Sequence, residues 1–211
     1  MWVGTQGPLG GVMTLPEQAK RAGAPPHWMA HVEVADVDAT VAEVQRLGGK
    51  VHVPPEEVPT VGRFSVIGDP QGAVLSVFRP AEPMAPHDRG KPGEVCWHEL
   101  YAVDDQKAFE FYARLFAWER ISDMDMGPLG TYRIFGQAGV QYGGIMTKPP
   151  TMQAPPTWGY YFETRDLEVA TERAAARGAK VLSGPREVPG GRVVQLIDPQ
   201  GAYFALHSAA R

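Results

Sequence analysis

The sequence predicts an α+β chain assembled from a repeated β-α-β-β-β unit, and three observations carry that prediction. The first is a long internal match, the feature to look for before any other. Trp28, Asp36, Gly48-Gly-Lys-Val51, Glu57-Val-Pro59, Arg63 and Asp69-Pro-Gln-Gly-Ala73 recur in order as Trp158, Asp166, Gly178-Ala-Lys-Val181, Glu187-Val-Pro189, Arg192 and Asp198-Pro-Gln-Gly-Ala202. The second is apolar residues at helical spacing behind an aspartate: Ala108, Phe111, Tyr112 and Leu115 follow Asp104-Asp105. The third is the punctuation, 24 Gly and 20 Pro in 211 residues, which divides a chain of ordinary complexity into short elements joined by turns.

Each element follows from these cues. Gly10-Gly-Val-Met-Thr14 with Ala24-Pro-Pro26 parallels Gly143-Gly-Ile-Met-Thr147 with Ala154-Pro-Pro156, so Gly10–Thr14 reads as the last strand of a unit. The first half then lacks roughly 40 residues relative to the second. Helices are expected over Asp38–Leu47, Gln106–Phe116 and Leu167–Ala176, with glycine after the first and third. Cys96–Val103, Thr131–Gln137 and Gln141–Thr147 read as strands, and Asp123-Met-Asp125 as a solvated loop. Both Asp-Pro-Gln-Gly runs read as tight turns, in which Pro presets φ and Gly supplies a positive φ. The boundaries that result are a first domain over 1–79, a Pro-rich linker over 80–92 and a complete second domain over 93–211.

Composition bounds the function. Lys and Arg number 20 against 24 Asp and Glu, a net charge of −4, without the basic footprint of a nucleic-acid binder. No run of apolar residues is long enough to span a bilayer, and the first residues lack a basic and apolar leader. The single cysteine, Cys96, permits no intrachain disulfide. These features point to a cytoplasmic protein with no nucleic-acid or membrane partner. The edge left by a shortened first unit predicts a homodimer or reduced solubility.

Asp104, Phe111-Tyr112 and Leu115-Phe116-Ala117-Trp118, taken with the two Asp-Pro-Gln-Gly turns, resemble the vicinal oxygen chelate superfamily of glyoxalases, bleomycin-resistance proteins and extradiol dioxygenases. The resemblance is closest to two-domain glyoxalase-like proteins often labelled hydroxylases. It implies paired units whose incurved mixed sheets surround a cavity, with helices on the outer face. In its metalloenzymes a divalent ion is held by one residue on each first strand and a carboxylate on each last strand. Carried over, the last-strand positions fall on Ser76 and Ala205, and the first-strand positions on Trp97, Gly159 and Met29. None is a useful ligand, and Gln141–Thr147 contains no carboxylate. The resemblance therefore implies no metal at the usual place and no other cofactor.

Alternation along strands then names the candidates. If Trp97 faces the cavity, Glu99 and Tyr101 share its face, while Cys96, His98 and Leu100 point at the helix. A carboxylate between aromatic residues suits a general base or an anchor for a cationic ligand. A register slip of one would put His98 in place of Glu99, so both are kept as catalytic candidates. The same parity places His31, Glu33, Tyr161 and Glu163 in the cavity lining, with Tyr132 and His207. Four residues from the C-terminus, His207 is expected to fray. Cys96 reads as an inert buried thiol, and Arg63 and Arg192 as structural ion-pair partners.

Three functions follow. The reading favoured by lost ligand positions is a metal-free small-molecule-binding protein of the resistance or sequestration type. The alternative is a divergent metal-dependent lyase, isomerase or dioxygenase, or a metal-free enzyme using Glu99 or His98. The third is a non-catalytic interaction module.

Overall fold

The computed structural model describes residues 2–4, 7–84 and 88–210. Contacts sort the chain into two compact units: unit one is Met1–Trp28, Ala85–Trp97 and Gly159–Arg211, and unit two is Met29–Met84 and His98–Trp158. No helix of the described residues is long and apolar enough to cross a membrane.

Near the N-terminus, β1 (Trp2–Gly4) and β2 (Gly7–Gly10) form an antiparallel ribbon, and a short helix α1 (Glu17–Arg21) follows. Residues 11–16 carry no regular structure, and Val12 and Met13 are exposed. This corrects the reading of Gly10–Thr14 as a strand. The matching segment in the second half is hydrogen-bonded on both sides, whereas no described strand flanks residues 11–14, and a strand does not persist without partners.

Three copies of one motif follow. The first comprises β3 (His31–Glu33), α2 (Val37–Arg46), β4 (Lys50–Val58), β5 (Gly62–Gly68) and β6 (Val74–Pro80), in the order β3-β6-β5-β4. The second comprises β7 (Val95–Ala102), α3 (Asp105–Phe116), β8 (Glu119–Asp125), β9 (Thr131–Gln137) and β10 (Val140–Thr147), in the order β7-β10-β9-β8. The third comprises β11 (Thr157–Glu163), α4 (Leu167–Ala175), β12 (Lys180–Val188), β13 (Gly191–Ile197) and β14 (Tyr203–Ala209), in the order β12-β13-β14-β11. In each copy the first and last strands pair in parallel and the remaining pairs are antiparallel. The chain is thus mixed α+β.

The local causes repeat as the sequence does. Asp36, Asp104 and Asp166 sit in extended backbone ahead of their helices, and each carboxylate accepts the amide of the residue three on, at 3.0 Å. That satisfies a helix-end donor that otherwise has none. Val37, Val41 and Val44 of α2, and Ala108, Phe111 and Tyr112 of α3, form the buried stripes. Burial of each valine stabilises by about 1.5–3 kcal/mol. Arg63 and Arg192 pair with Asp38 at 2.7 Å and with Glu168 at 2.5 Å, tying β5 and β13 to the first turns of α2 and α4. We expect Asp166→Ala to cost about 1 kcal/mol, read as a loss of a few degrees in the thermal midpoint by circular dichroism. An unchanged midpoint would mean that water replaces the cap.

Unit two is centred on Tyr112, which stacks on Phe116 and Trp118 and meets Trp158 edge-on. Its hydroxyl accepts from Trp158 Nε1 at 3.2 Å and donates to Asp69 Oδ2 at 3.0 Å. Asp69 Oδ1 accepts the Gln71 and Ala73 amides. The Gln71 side chain caps the end of β7, accepting from the amides of Val103 and Asp104 and donating to the Asp104 carbonyl.

The Asp123–Asp125 segment is the end of strand β8, not a loop. β8 is the outer strand beside β9, its side chains mostly exposed. A register shift between Arg120 and Ser122 breaks its alternation, so the period-two signal is missing from the sequence. Asp123 receives Arg120 and Arg133.

Candidate functional site

Strand register decides which side chains share a face. In unit two, Asp105 of α3 bonds Arg133 of β9 and Thr147 of β10, so these residues mark the helix side. Alternation sends Tyr132, Ile134, Gly144 and Met146 to the opposite side. Gly144 lies beside Glu99 and Met146 beside Tyr101 in the parallel β10–β7 ladder, which places Glu99 and Tyr101 on that face too. His98 points the other way, its Nδ1 2.9 Å from the Tyr142 carbonyl. It is therefore separated from Glu99, and the one-residue slip is excluded.

Glu99 and Tyr101 are 6% and 8% exposed, and the tyrosine hydroxyl donates a short hydrogen bond to Glu99 Oε2. Tyr132 lies across Gly144 so closely that a Cβ there would overlap its ring. The double glycine Gly143-Gly144 thus has a packing reason: the first lets β10 approach the His98 carbonyl and the second makes room for the tyrosine. This face carries a buried carboxylate with a phenol bonded to it, a second phenol and a thioether.

In unit one, Phe162, Phe204 and Leu206 line a cleft of about 510 Å3 with Val169 and Ala170 of α4, so they mark the helix side. Tyr161, Ala205 and His207 take the other, and Glu163, which also borders the cleft, turns its carboxylate to His207. Tyr161, Val193 and Ala205 form a buried cluster against which both Cys96 and Trp97 pack. Two consecutive residues cannot share a face in a regular strand, so alternation fails here, and the expectation that Cys96 points at the helix is corrected. The Cys96 thiol donates to the Tyr161 carbonyl at 3.3 Å. Burial, reinforced by the charge and hydrogen bond of Glu163, pushes it up to about 12.

His207 is not frayed. Strand β14 runs to Ala209 and stays paired with β13, Arg192 opposite Ser208 and Gly191 opposite Ala209. His207 stands beside Glu163 in the β11–β14 ladder, its Nδ1 2.5 Å from Glu163 Oε2. The other carboxylate oxygen accepts the Ala209 amide at 3.2 Å. Cys96, Glu163 and His207 form the cluster in which one donor atom from each lies within 4.8 Å of the others.

The first copy differs. His31 and Glu33 share a face with Ser76 and Phe78 through the β3–β6 register, and both are exposed. His31 meets the Phe78 ring edge-on at 5.9 Å. The positions matching Glu163 and His207 are Glu33 and Phe78.

The five positions where the resemblance implies a divalent ion do not fit one. Trp97, Gly159 and Ala205 offer no suitable donor atom, and the Met29 thioether is too soft for a hard ion. The Ser76 hydroxyl is fully buried and turned to the Val77 carbonyl.

Comparison with known proteins adds the relatives. Residues 3–77 and 95–206 match the model of the Glyoxalase/Bleomycin resistance protein/Dioxygenase superfamily. The chain is 32% identical over 185 residues to "Putative glyoxylase CFP32" of Mycobacterium tuberculosis, covering 87% of this chain and 70% of that protein. It is 30% identical to anthracycline biosynthesis protein DnrV of Streptomyces peucetius, covering 87% of this chain and 66% of that one. In fold it is similar to the Mn(II)-bound glyoxalase of Novosphingobium aromaticivorans, at TM-score 0.60 and 16% identity, covering 84% of this chain and 61% of that chain. It is also similar to the 2,3-dioxygenase LapB of Pseudomonas sp. KL28, at TM-score 0.57 and 14% identity, covering 85% and 69%.

Proposed function

The chain belongs to the Glyoxalase/Bleomycin resistance protein/Dioxygenase superfamily, and from that premise we propose that it is a small-molecule-binding protein of the resistance or sequestration type, with no metal at the superfamily's ligand positions. The observation that carries the reading is the buried, hydrogen-bonded Glu99–Tyr101 pair, on the face of β7 turned away from α3. A buried carboxylate oriented by a phenol presents a directed negative pole to a ligand's cationic or donor group. Tyr101 holds its orientation, and Tyr132 and Met146 supply apolar contact. The fitting ligand is a flat aromatic molecule with a cationic or donor group, and the similarity to a protein named for anthracycline biosynthesis supports that class. With His98 turned to the Tyr142 carbonyl, a catalytic alternative would rest on Glu99 alone.

Titration with a panel of aromatic amines and anthracyclines, followed by tryptophan emission and calorimetry, tests this. We expect saturable binding by at least one of them, weakened roughly ten- to hundredfold in Glu99→Gln, as a hydrogen bond to a charged group is worth about 1.5–3 kcal/mol. Binding unaffected by Glu99→Gln, or no binding across the panel, overturns it. Turnover of a bound compound, lost in the same variant, would favour the enzyme.

A further inference from the structure

We propose that Cys96, Glu163 and His207 form a binding site for one zinc-class divalent ion, built off the superfamily's ligand positions. Thiolate, imidazole and carboxylate together are a donor set for a borderline ion, and three protein ligands leave the fourth tetrahedral position to water or a small-molecule donor.

Geometry brings the three together from separate strands. Glu163 and His207 are direct neighbours in the β11–β14 ladder, and Cys96 arrives at the start of β7. Their donor atoms already lie within 4.8 Å of one another. The His207 and Glu163 side chains are 19% and 9% exposed, enough for an ion to enter while the carboxylate stays largely shielded from water.

The fold does not require these residues. The first copy has the same strands in the same register, and there Glu33 faces Phe78. The histidine and its contact with the glutamate belong to the third copy alone, and at the place of Cys96, eight residues before the helix-capping aspartate, the other two copies carry Trp28 and Trp158.

A nucleophilic thiol is the competing use of such a trio, and the hydrogen bonds oppose it. Glu163 is hydrogen-bonded to His207 and has a carboxylate oxygen within 4.8 Å of the Cys96 sulfur. A carboxylate beside a thiol disfavours the thiolate, whereas a nucleophile needs a base or cation there. A divalent ion reverses the balance. On binding, the thiol proton leaves to solvent and sulfur takes the metal in place of the Tyr161 carbonyl contact. The proton held between His207 Nδ1 and Glu163 passes to solvent or, by tautomerisation, to Nε2, which frees the imidazole and carboxylate for metal bonds.

The test uses the whole chain stripped with a chelator. Titration with Co2+ should give one equivalent of binding, tetrahedral visible bands and a thiolate-to-cobalt charge-transfer band, all displaced by Zn2+. In Cys96→Ser the charge-transfer band should vanish, and in His207→Ala zinc affinity should fall at least tenfold. Zinc should also protect Cys96 from alkylation, a readout that holds if a variant folds poorly. Glu99→Gln should leave metal affinity unchanged, which separates failure here from failure of the ligand-binding reading. No saturable binding, or binding with affinity and spectrum unaltered in both variants, overturns the site.

Discussion

Gly143→Ala is expected to destabilise unit two by about 3 kcal/mol, at the upper end for an overpacked site, and to lower its melting midpoint by roughly 6–12 °C. A Cβ at this position would overlap the His98 carbonyl, a backbone atom that cannot rotate away. The glycine stands opposite His98 in the parallel β10–β7 pairing, so relief requires the two strands to part and their ladder to weaken. Gly144→Ala is the informative companion. Its clash is with the Tyr132 ring, which can swing out, so we expect a smaller loss of stability and a larger loss of ligand affinity. Thermal denaturation of the two variants side by side checks this order, and equal midpoints would contradict it.

Asp69→Ala should cost about 3 kcal/mol, because the Gln71 and Ala73 amides and the Tyr112 hydroxyl lose their acceptor in the interior. The matching Asp198→Ala should cost only about 1 kcal/mol. Asp198 accepts the Gln200 and Ala202 amides but lies nearer the surface, where water substitutes. Burial raises the Asp69 carboxyl above the usual range, against the pull of its donors. Its proton is therefore held more tightly in the folded than in the unfolded chain. That contribution is complete below the ordinary carboxylate value and is lost as pH rises through the folded one. The stability gap between the wild type and Asp69→Asn should accordingly narrow from pH 3 towards neutrality, measured by urea denaturation across that range.

The sequence was most informative where local chemistry and tertiary structure agree. Asp36, Asp104 and Asp166 announce their helices because a carboxylate ahead of an apolar stripe has one good use. Glu99 and Tyr101 could be placed on one face because β7 alternates regularly beyond Trp97. The rest depended on partners that no local pattern reveals. Cys96 and Trp97 pack on one cluster, so parity from Trp97 sent the cysteine to the wrong side. His207 looked frayed by its distance from the chain end, yet cross-strand pairing with β13 holds it. Gly10–Thr14 matched a strand in letters and lacks the flanking strands that make one. The Glu163–His207 contact joins residues 44 positions apart and follows from register alone.

Strand β8 has a consequence for the protein in concentrated solution. It is an outer strand, and an outer strand presents unpaired amides and carbonyls to any neighbour. Glu119, Arg120, Asp123 and Asp125 line it, and its register shift bends the ladder. A second molecule approaching to extend the sheet would have to strip water from these charges and match an irregular spacing. β8 thereby acts as a guard against edge-to-edge aggregation, and its charges contribute to colloidal behaviour more than to folding.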